Sequence, residues 1–376
     1  MTDICRFTLF LQLCWCLILP NSGRSQSSID LDSILQKARV KYDLPAIGAA
    51  LIIDGEVQHI AVTGVRKYGD TTKVTAGDTW HLGSCTKAFT ATLIARLVDV
   101  KKVDWKTTIC EVFPEMKMNK AYRYVTIEML LCHFGGVPSQ SWPTGMSLHS
   151  VEALQGSPRE QRYEYVSRIL RASPEVKPGT KLIYSNAGMA IAGAMVEELM
   201  NSSFEDLMAE YVFQPLGITS AGYGAMNTQG LIDEPWQHTM QNGKHVPIGA
   251  GPGSDNPPAI TPAGRIHLSL ADWSRFAMAH LFGADSGSFL KRETWEKIHS
   301  LPFGGDYGFG WIIIQRQWAG GTVLTHDGSN TQNYSSIWLA PKKEFALMIV
   351  INQGNDAVED ACQKIVGDIV AAVFRH

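Results

Sequence analysis

The sequence predicts an α+β protein in which both ends of the chain contribute strands to one sheet. Apolar, β-branched stretches separated by turn residues lie at 46–65 and again at 307–353. The region between them is rich in helical apolar patterns, such as 188–200 and 269–282. Strands at both ends with helices between them indicate a single sheet with a mostly helical region inserted, at about 84–305.

The first 25 residues have the layout of a secretory signal peptide. Arg6 precedes the apolar run 7–19, which ends at Pro20 and is followed by small and polar residues. This pattern predicts cleavage near residues 23–25 and a secreted or secretory-pathway protein, with an uncleaved anchor as the alternative. Residues 30–376 then form the folded domain.

The segment 29–45 opens this domain with an amphipathic helix that Asp30 or Asp32 can cap and Pro45 ends. The next segment, 46–65, reads as two strands joined at Asp54-Gly55, because this dipeptide between apolar runs is a hairpin signal. The sheet region is expected to comprise about 30–83 and 306–376, with a final helix over 357–374.

Composition excludes several classes of function. The 376 residues carry a formal charge of −3, which gives no reason to expect nucleic acid as a partner. The mature part has no apolar run long enough to span a bilayer. The histidine and cysteine spacings match no metal-site pattern, so we expect no metal and no cofactor. After signal removal Cys85, Cys110, Cys132 and Cys362 remain, with three pairings open.

Ser84 and Lys87 form a Ser-x-x-Lys pattern at the start of an apolar helix. Residues three apart share a helix face, so the Lys87 amine can reach the Ser84 hydroxyl. A buried amine has a lowered pKa and can serve as a base, while the helix N-terminus offers N–H groups to a developing negative charge. The pattern occurs again at Ser288/Lys291, where an exposed helix cap is the simpler interpretation.

Two further groups strengthen this interpretation. Tyr184 and Asn186 stand before another apolar helix, and Tyr184 can carry a proton if a nearby cation lowers its pKa. His326 and Gly328 end an apolar strand, where the histidine can donate near neutral pH and the glycine admits a ligand's backbone. A buried tyrosine, a capping asparagine and an incidental histidine are the bland alternatives.

These three groups resemble the motifs of the serine β-lactamase and penicillin-binding protein superfamily, in particular its class C β-lactamase-like branch. The motifs match Ser84/Lys87, Tyr184/Asn186 and His326/Gly328. The flanking stretches TIEMLLCHFGGVP, KPGTKLIYSNAG and DYGFGWII are similar to the family's as well. The likeness runs from about Asp30 to the C-terminus.

The resemblance implies a β-lactamase/transpeptidase-like fold, with an antiparallel sheet covered by helices. It implies that Ser84 attacks a carbonyl and becomes acylated, and that Lys87 and Tyr184 move the proton, with the base left open between them. Asn186 would position the substrate, and the N–H groups of Ser84 and Ser329 would form the oxyanion hole.

The leading hypothesis is a secreted serine hydrolase acting on small esters, amides or peptides. His326 stands where dedicated β-lactamases have lysine, which favours an esterase or amidase over an efficient β-lactamase. A D-amino-acid-specific peptidase or weak β-lactamase is the second hypothesis, and a non-catalytic, self-assembling member of the fold is the third. We expect His133 to be structural and the loop 247–264 to line the cleft. A homo-oligomer is compatible with the sequence.

Overall fold

The computed structural model describes residues 29–140, 142 and 146–374. The predicted signal peptide, residues 1–25, lies outside the described residues and stays a prediction. Within the described ranges, no helix combines the length and the apolar character that crossing a membrane requires.

The elements follow one another in the predicted order of strands, helices and strands. The strands are β1 (Ala46–Ile53), β2 (Glu56–Gly64), β3 (Thr79–His81), β4 (Gly222–Tyr223), β5 (Gln237–Gln241), β6 (Lys244–Ile248), β7 (Ile266–Ser269), β8 (Tyr307–Gly308), β9 (Trp311–Arg316), β10 (Gly321–Ser329), β11 (Tyr334–Ala340) and β12 (Phe345–Ile351). The α-helices are α1 (Leu31–Lys41), α2 (Thr86–Asp99), α3 (Ile109–Val112), α4 (Ile127–Leu131), α5 (Leu148–Glu152), α6 (Pro158–Arg171), α7 (Asn186–Met200), α8 (Phe204–Met208), α9 (Thr261–Gly264), α10 (Leu270–Ser286), α11 (Arg292–Ile298) and α12 (Asp356–Phe374).

The main sheet joins the two ends of the chain. Among the described residues it has seven strands in the order β2-β1-β12-β11-β10-β9-β8. Neighbouring strands are antiparallel, and β1 pairs directly with β12, with Ile47 opposite Ile351. Both of these strands are buried on both faces, which explains their nearly continuous apolar sequence. The predicted α+β fold is confirmed.

Local signals at the start of the domain act as predicted. Asp54 and Gly55 have φ values of 52° and 74°, the left-handed conformation that a two-residue type I′ hairpin requires at both positions. The side chain of Asp30 caps α1 by accepting a hydrogen bond from the Ser33 N–H. These elements therefore form for reasons contained within a few residues.

Helices cover both faces of the main sheet. On one face α1 and α12 bury residues such as Leu35 and Ile365 against the strands. On the other face lie α10 and, deeper in the same apolar core, α2 and α7. Helix α2 is buried around most of its circumference, so it is a central helix of the core.

Short strands that the sequence did not predict lie in the inserted region and just before it. Strands β3, β7 and β4 form a small sheet, and β5 pairs with β6. Strand β3 has only three residues, and its partner β7 lies far along the chain, so no local periodicity marks it. Two residues after β3 the chain enters a 3₁₀ turn, Gly83–Cys85, that leads directly into α2. The small sheet therefore positions the start of the central helix.

Candidate active site

Ser84 and Lys87 lie together at the root of α2. Ser84 belongs to the 3₁₀ turn, and Lys87 is in the first turn of the helix. The Lys87 Nζ is 2.9 Å from the Ser84 Oγ. Spacing of three residues on a helical turn therefore brings the two groups within hydrogen-bond distance, as the sequence predicts.

The Lys87 amine is fully buried and is surrounded by groups that hold it in place. Its Nζ donates to the Ala263 carbonyl at 2.8 Å and lies 4.7 Å from the centre of the Tyr184 ring. Burial lowers the pKa of Lys87 from 10.5 to about 7. A large fraction of the amine is therefore neutral near pH 7, with a lone pair available to the Ser84 proton.

Tyr184 stands at the mouth of the site, partly exposed, with its ring 4.7 Å from the Lys87 Nζ. The sequence interpretation that a cation lowers the pKa of Tyr184 is wrong. Burial raises the pKa of this phenol well above 10, and Ser84 only partly opposes the rise. Tyr184 is therefore a neutral phenol at pH 7.

Asn186 is the first residue of α7 and is half-buried. The cap of this helix is Ser185, whose hydroxyl accepts from the Gly188 N–H at 3.1 Å. Helix capping therefore does not account for Asn186, and the bland alternative for this residue is removed. Its predicted substrate contact stays a prediction.

His326 lies on β10 and is buried between Tyr307 and Lys87. Its Nδ1–H donates to the Asp327 carbonyl at 2.5 Å, so its Nε2 accepts from the Tyr307 hydroxyl at 3.2 Å. Burial, with a contribution from Lys87, lowers the pKa of His326 to about 3. The imidazole is thus neutral with both nitrogens occupied, and the expectation that it donates to a ligand near neutral pH is wrong.

Glycine is required at positions 328 and 83 because the protein's own backbone passes too close for a side chain. A Cβ at Gly328 would lie 2.0 Å from the Leu82 carbonyl oxygen, and one at Gly83 would lie 2.3 Å from the Ser329 nitrogen. The expectation that Gly328 makes room for a ligand is therefore corrected, since the chain itself fills this space. The same packing brings the segments that carry the Ser84 and Ser329 amides into contact.

Two aromatic side chains, those of His133 and Tyr307, complete the site. The sequence predicts a structural role for His133 and does not place Tyr307 there. The rings of His133 and Tyr307 are 4.5 Å and 5.9 Å from the Tyr184 ring. His133 also accepts from the Ser185 N–H through Nδ1, which supports its predicted structural role. Tyr307 lies in the stretch DYGFGWII, whose resemblance to the family was the available signal.

The loop 247–264, predicted to line the cleft, contributes a backbone contact to the site. The end of the 247–264 loop forms α9, and its Ala263 carbonyl holds Lys87, so this loop does contribute to the site. The four cysteines of the domain all have free thiols in the structure, and none of the three pairings forms.

Comparison with known proteins identifies the family and agrees with the fold. The sequence profile of the family described as Beta-lactamase matches residues 31–369. Penicillin-binding protein 4 of Amycolatopsis lactamdurans is 24% identical over 335 residues, which cover 84% of this chain and 83% of that protein. An unguisins hydrolase of Aspergillus violaceofuscus is 27% identical over 277 residues, covering 69% of this chain but only 46% of the fungal protein.

Among solved structures, the D-amino acid amidase of Ochrobactrum anthropi SV3 has a TM-score of 0.70 and 20% identity, covering 90% of this chain and 97% of the amidase. The fold, the serine and its buried lysine define a serine hydrolase of the β-lactamase and penicillin-binding protein type. Because the family profile spans nearly the whole described domain, the chain belongs to the Beta-lactamase family.

Proposed function

We propose that this protein is a secreted serine hydrolase that cleaves small esters, amides or peptides through an acyl-Ser84 intermediate. The observation that carries the proposal is the Lys87 amine, buried, with a pKa of about 7, and 2.9 Å from the Ser84 Oγ. A base poised near the working pH balances availability against strength.

Acylation begins when neutral Lys87 accepts the Ser84 proton and the Ser84 Oγ forms a bond to the substrate carbonyl carbon. The negative charge that develops on the carbonyl oxygen lies between the N–H groups of Ser84 and Ser329. When the bond to the leaving group breaks, the neutral Tyr184 phenol donates a proton to that group and recovers one from the Lys87 ammonium. Lys87 thus acts as the base and Tyr184 as the acid.

Deacylation repeats these steps with water as the nucleophile. Lys87 accepts the proton of the water, the water oxygen attacks the acyl carbon, and the Ser84 Oγ leaves with a returned proton. The free acid and the starting enzyme result. At pH 7 the Tyr184 phenol is neutral and about half of the Lys87 amine is neutral, because the pKa of Tyr184 is raised and burial lowers that of Lys87 to about 7.

The charge of the site favours substrates without a carboxylate beside the scissile carbonyl. His326, at the position of a family lysine, is neutral and hydrogen-bonded to Tyr307, so it offers no permanent cation. Docking an anionic group here would cost desolvation without a compensating charge. Neutral esters, amides and internal peptide bonds are therefore preferred over C-terminal carboxylates.

A D-amino-acid-specific peptidase or a weak β-lactamase is the second candidate. The likeness to a D-amino acid amidase and to a penicillin-binding protein favours it. Paired D- and L-amino acid amides with one β-lactam would distinguish the two candidates. A preference for the D-series of at least about tenfold, which corresponds to about 1.4 kcal/mol, would favour the second.

Labelling with a fluorophosphonate tests the proposal directly. The wild-type chain, Ser84→Ala and Ser288→Ala would be incubated with the probe and followed by intact mass. We expect one adduct on the wild type and on the Ser288 variant, and none on the Ser84 variant. No adduct on a folded wild type would reject the hydrolase and leave the non-catalytic alternative.

Secretion rests on the pattern of residues 1–25 and has its own test. Expression of the full chain in a secreting cell, followed by intact mass of the protein in the medium, should give a start near residue 26. Retention in the cell with an intact N-terminus would reject this part of the proposal alone.

A further inference from the structure

A buried carboxylate outside the described reaction links the two chain segments that carry the Ser84 and Ser329 amides. This carboxylate is Asp255, in the loop that leads to α9, with a side chain only 4% exposed. It contacts His81 on one side and Asn330 on the other. His81 precedes Ser84 by three residues, and Asn330 directly follows Ser329.

The first connection runs through His81 to the peptide before the nucleophile. The Gly83 N–H donates to the His81 Nδ1 at 3.0 Å. Because Nδ1 accepts, the hydrogen of this imidazole is on Nε2, which donates to the Asp255 Oδ2 at 3.0 Å. Gly83 has a φ of +47°, so this hydrogen bond helps to hold an uncommon backbone conformation next to Ser84.

The second connection runs through Asn330 to the turn after β10. The Asn330 Nδ2 donates to the Asp255 Oδ1 at 2.7 Å. The Asn330 Oδ1 accepts from the Gln332 and Asn333 N–H groups at 3.2 Å and 2.9 Å. These bonds fix the turn that follows Ser329 at the end of β10.

The carboxylate is anionic in this environment. Burial opposes its ionisation, but His81, Arg265 and Asn330 together lower the pKa of Asp255 below its usual value. Both oxygens of Asp255 therefore accept: Oδ2 faces His81 and Arg265, and Oδ1 faces Asn330. An amide at this position could satisfy only one of these two sides, because its nitrogen would face another donor on the other.

We propose that Asp255 is a positioning residue that, through His81 and Asn330, holds the Ser84 and Ser329 amides at the spacing required by the tetrahedral intermediate. The proposal rests on the proposed function, since it concerns the same acyl transfer. Positioning of this kind acts on the transition state more than on substrate binding. It therefore predicts a loss in kcat with little change in KM.

The test compares Asp255→Asn with a matched control, Asp272→Asn. Asp272 is also a buried carboxylate, and it accepts from the Thr219 and Ser220 N–H groups and the Ser220 hydroxyl, none of which bonds Asp255, His81 or Asn330. Turnover of p-nitrophenyl butyrate would be measured per active site, with sites counted by fluorophosphonate titration. Affinity for phenylboronic acid would report the tetrahedral adduct on Ser84.

We expect Asp255→Asn to lower kcat per titrated site by about 100-fold, the scale of a misplaced or lost oxyanion donor. The KM should change by less than about threefold, and phenylboronic acid affinity should fall in parallel with kcat. Asp272→Asn should change neither quantity per site, even if it lowers the melting temperature.

Other results would overturn the proposal. A folded Asp255→Asn enzyme with near-normal kcat per site would show that Asp255 only stabilises the fold. If that variant does not fold, Asn330→Ala decides, because it breaks one connection and leaves Asp255 with His81 and Arg265. It should lower kcat per site by about tenfold, and unchanged kcat would reject the proposal. A wild type that is never labelled at Ser84 would instead reject the proposed function.

Discussion

The chain contains the pattern Gly-Ser-x-x-Lys twice, at 83–87 and at 287–291, and in the described structure only the first copy brings its serine and lysine side chains into a hydrogen bond. The leading glycines, Gly83 and Gly287, even share a left-handed backbone, with φ values of 47° and 60°. The first copy begins the buried helix α2. The second spans the gap between α10 and α11, where Gly287 ends one helix and Lys291 caps the next.

The surroundings of the two serines differ accordingly. Ser84 bonds with the buried Lys87, whereas Ser288 is exposed and its hydroxyl lies 3.1 Å from that of Ser286. Lys291 is exposed, and its backbone N–H donates to Asp99. The expectation that Ser288 caps α11 is wrong, because Lys291 holds that position. The same spacing therefore brings serine and lysine together only where a helical turn aligns the two side chains, and burial then lowers the pKa of the amine.

Replacing each lysine by methionine should give the largest difference in activity between the two copies. Lys87→Met removes the base, so we expect kcat for an ester to fall by about 10³-fold. Lys291→Met should leave kcat within about twofold of the wild type, because exposed substitutions away from the site have small effects. Steady-state kinetics per titrated site measures both, and a Lys87→Met enzyme that keeps a tenth of its activity would refute the base assignment.

Alanine variants of the two glycines separate the energetic cost of a strained backbone from the cost of close packing. Gly287→Ala meets no atom within 4 Å and should cost about 1–2 kcal/mol in free energy of unfolding, for its left-handed backbone alone. Gly83→Ala would also place its Cβ 2.3 Å from the Ser329 nitrogen, so we expect a cost of about 3 kcal/mol or more.

Urea denaturation of the two alanine variants measures this difference. Activity per folded molecule should fall only for Gly83→Ala, since its Cβ displaces an oxyanion amide. Equal costs for the two variants would mean that the contact at Ser329 relaxes easily.

The pH dependence of turnover tests what burial does to Lys87. With a pKa of about 7 for its conjugate acid, kcat/KM should rise about tenfold per pH unit below 7 and level off above about 8. A pH series of kcat/KM on a neutral ester, whose own ionisation cannot interfere, gives the profile. A flat profile between pH 5 and 8 would exclude Lys87 as the base.

The lowered pKa of Lys87 should also make the free energy of unfolding depend on pH. The pKa of Lys87 is about 7 in the folded state against 10.5 for the free side chain, so the unfolded state binds more protons between these values. The wild type should therefore gain stability relative to Lys87→Met as pH rises from 7 to 10, by up to about 1.4 kcal/mol per unit. Urea denaturation at pH 7, 8 and 9 measures the difference, and a constant value would contradict the shift.

Much of the fold could be predicted because its signals are local. The hairpin at Asp54-Gly55, the cap at Asp30 and the strand–helix–strand order each depend on a few neighbouring residues. The approach of Lys87 to Ser84 is equally local, since both lie on one helical turn. Their catalytic roles stay predictions until the labelling is done.

Contacts between distant segments could not be predicted in this way. Strand β3 forms only against β7, and His81 meets Asp255 across 174 residues of chain. The pairing of Tyr307 with His326 reverses the role expected for that histidine. None of these contacts leaves a periodic or compositional trace in the sequence.

The sequence by itself determined the strands of the main sheet, the order of strands, helices and strands, and which serine stands beside which amine, because helix geometry and turn chemistry act over a few residues. Only the tertiary structure decided the protonation of that site. Burial lowers the pKa of Lys87 to about 7, raises that of Tyr184 so that it stays a neutral phenol, and leaves His326 uncharged. The physical reason is that desolvation depends on everything packed around a group, and most of those neighbours are distant in sequence.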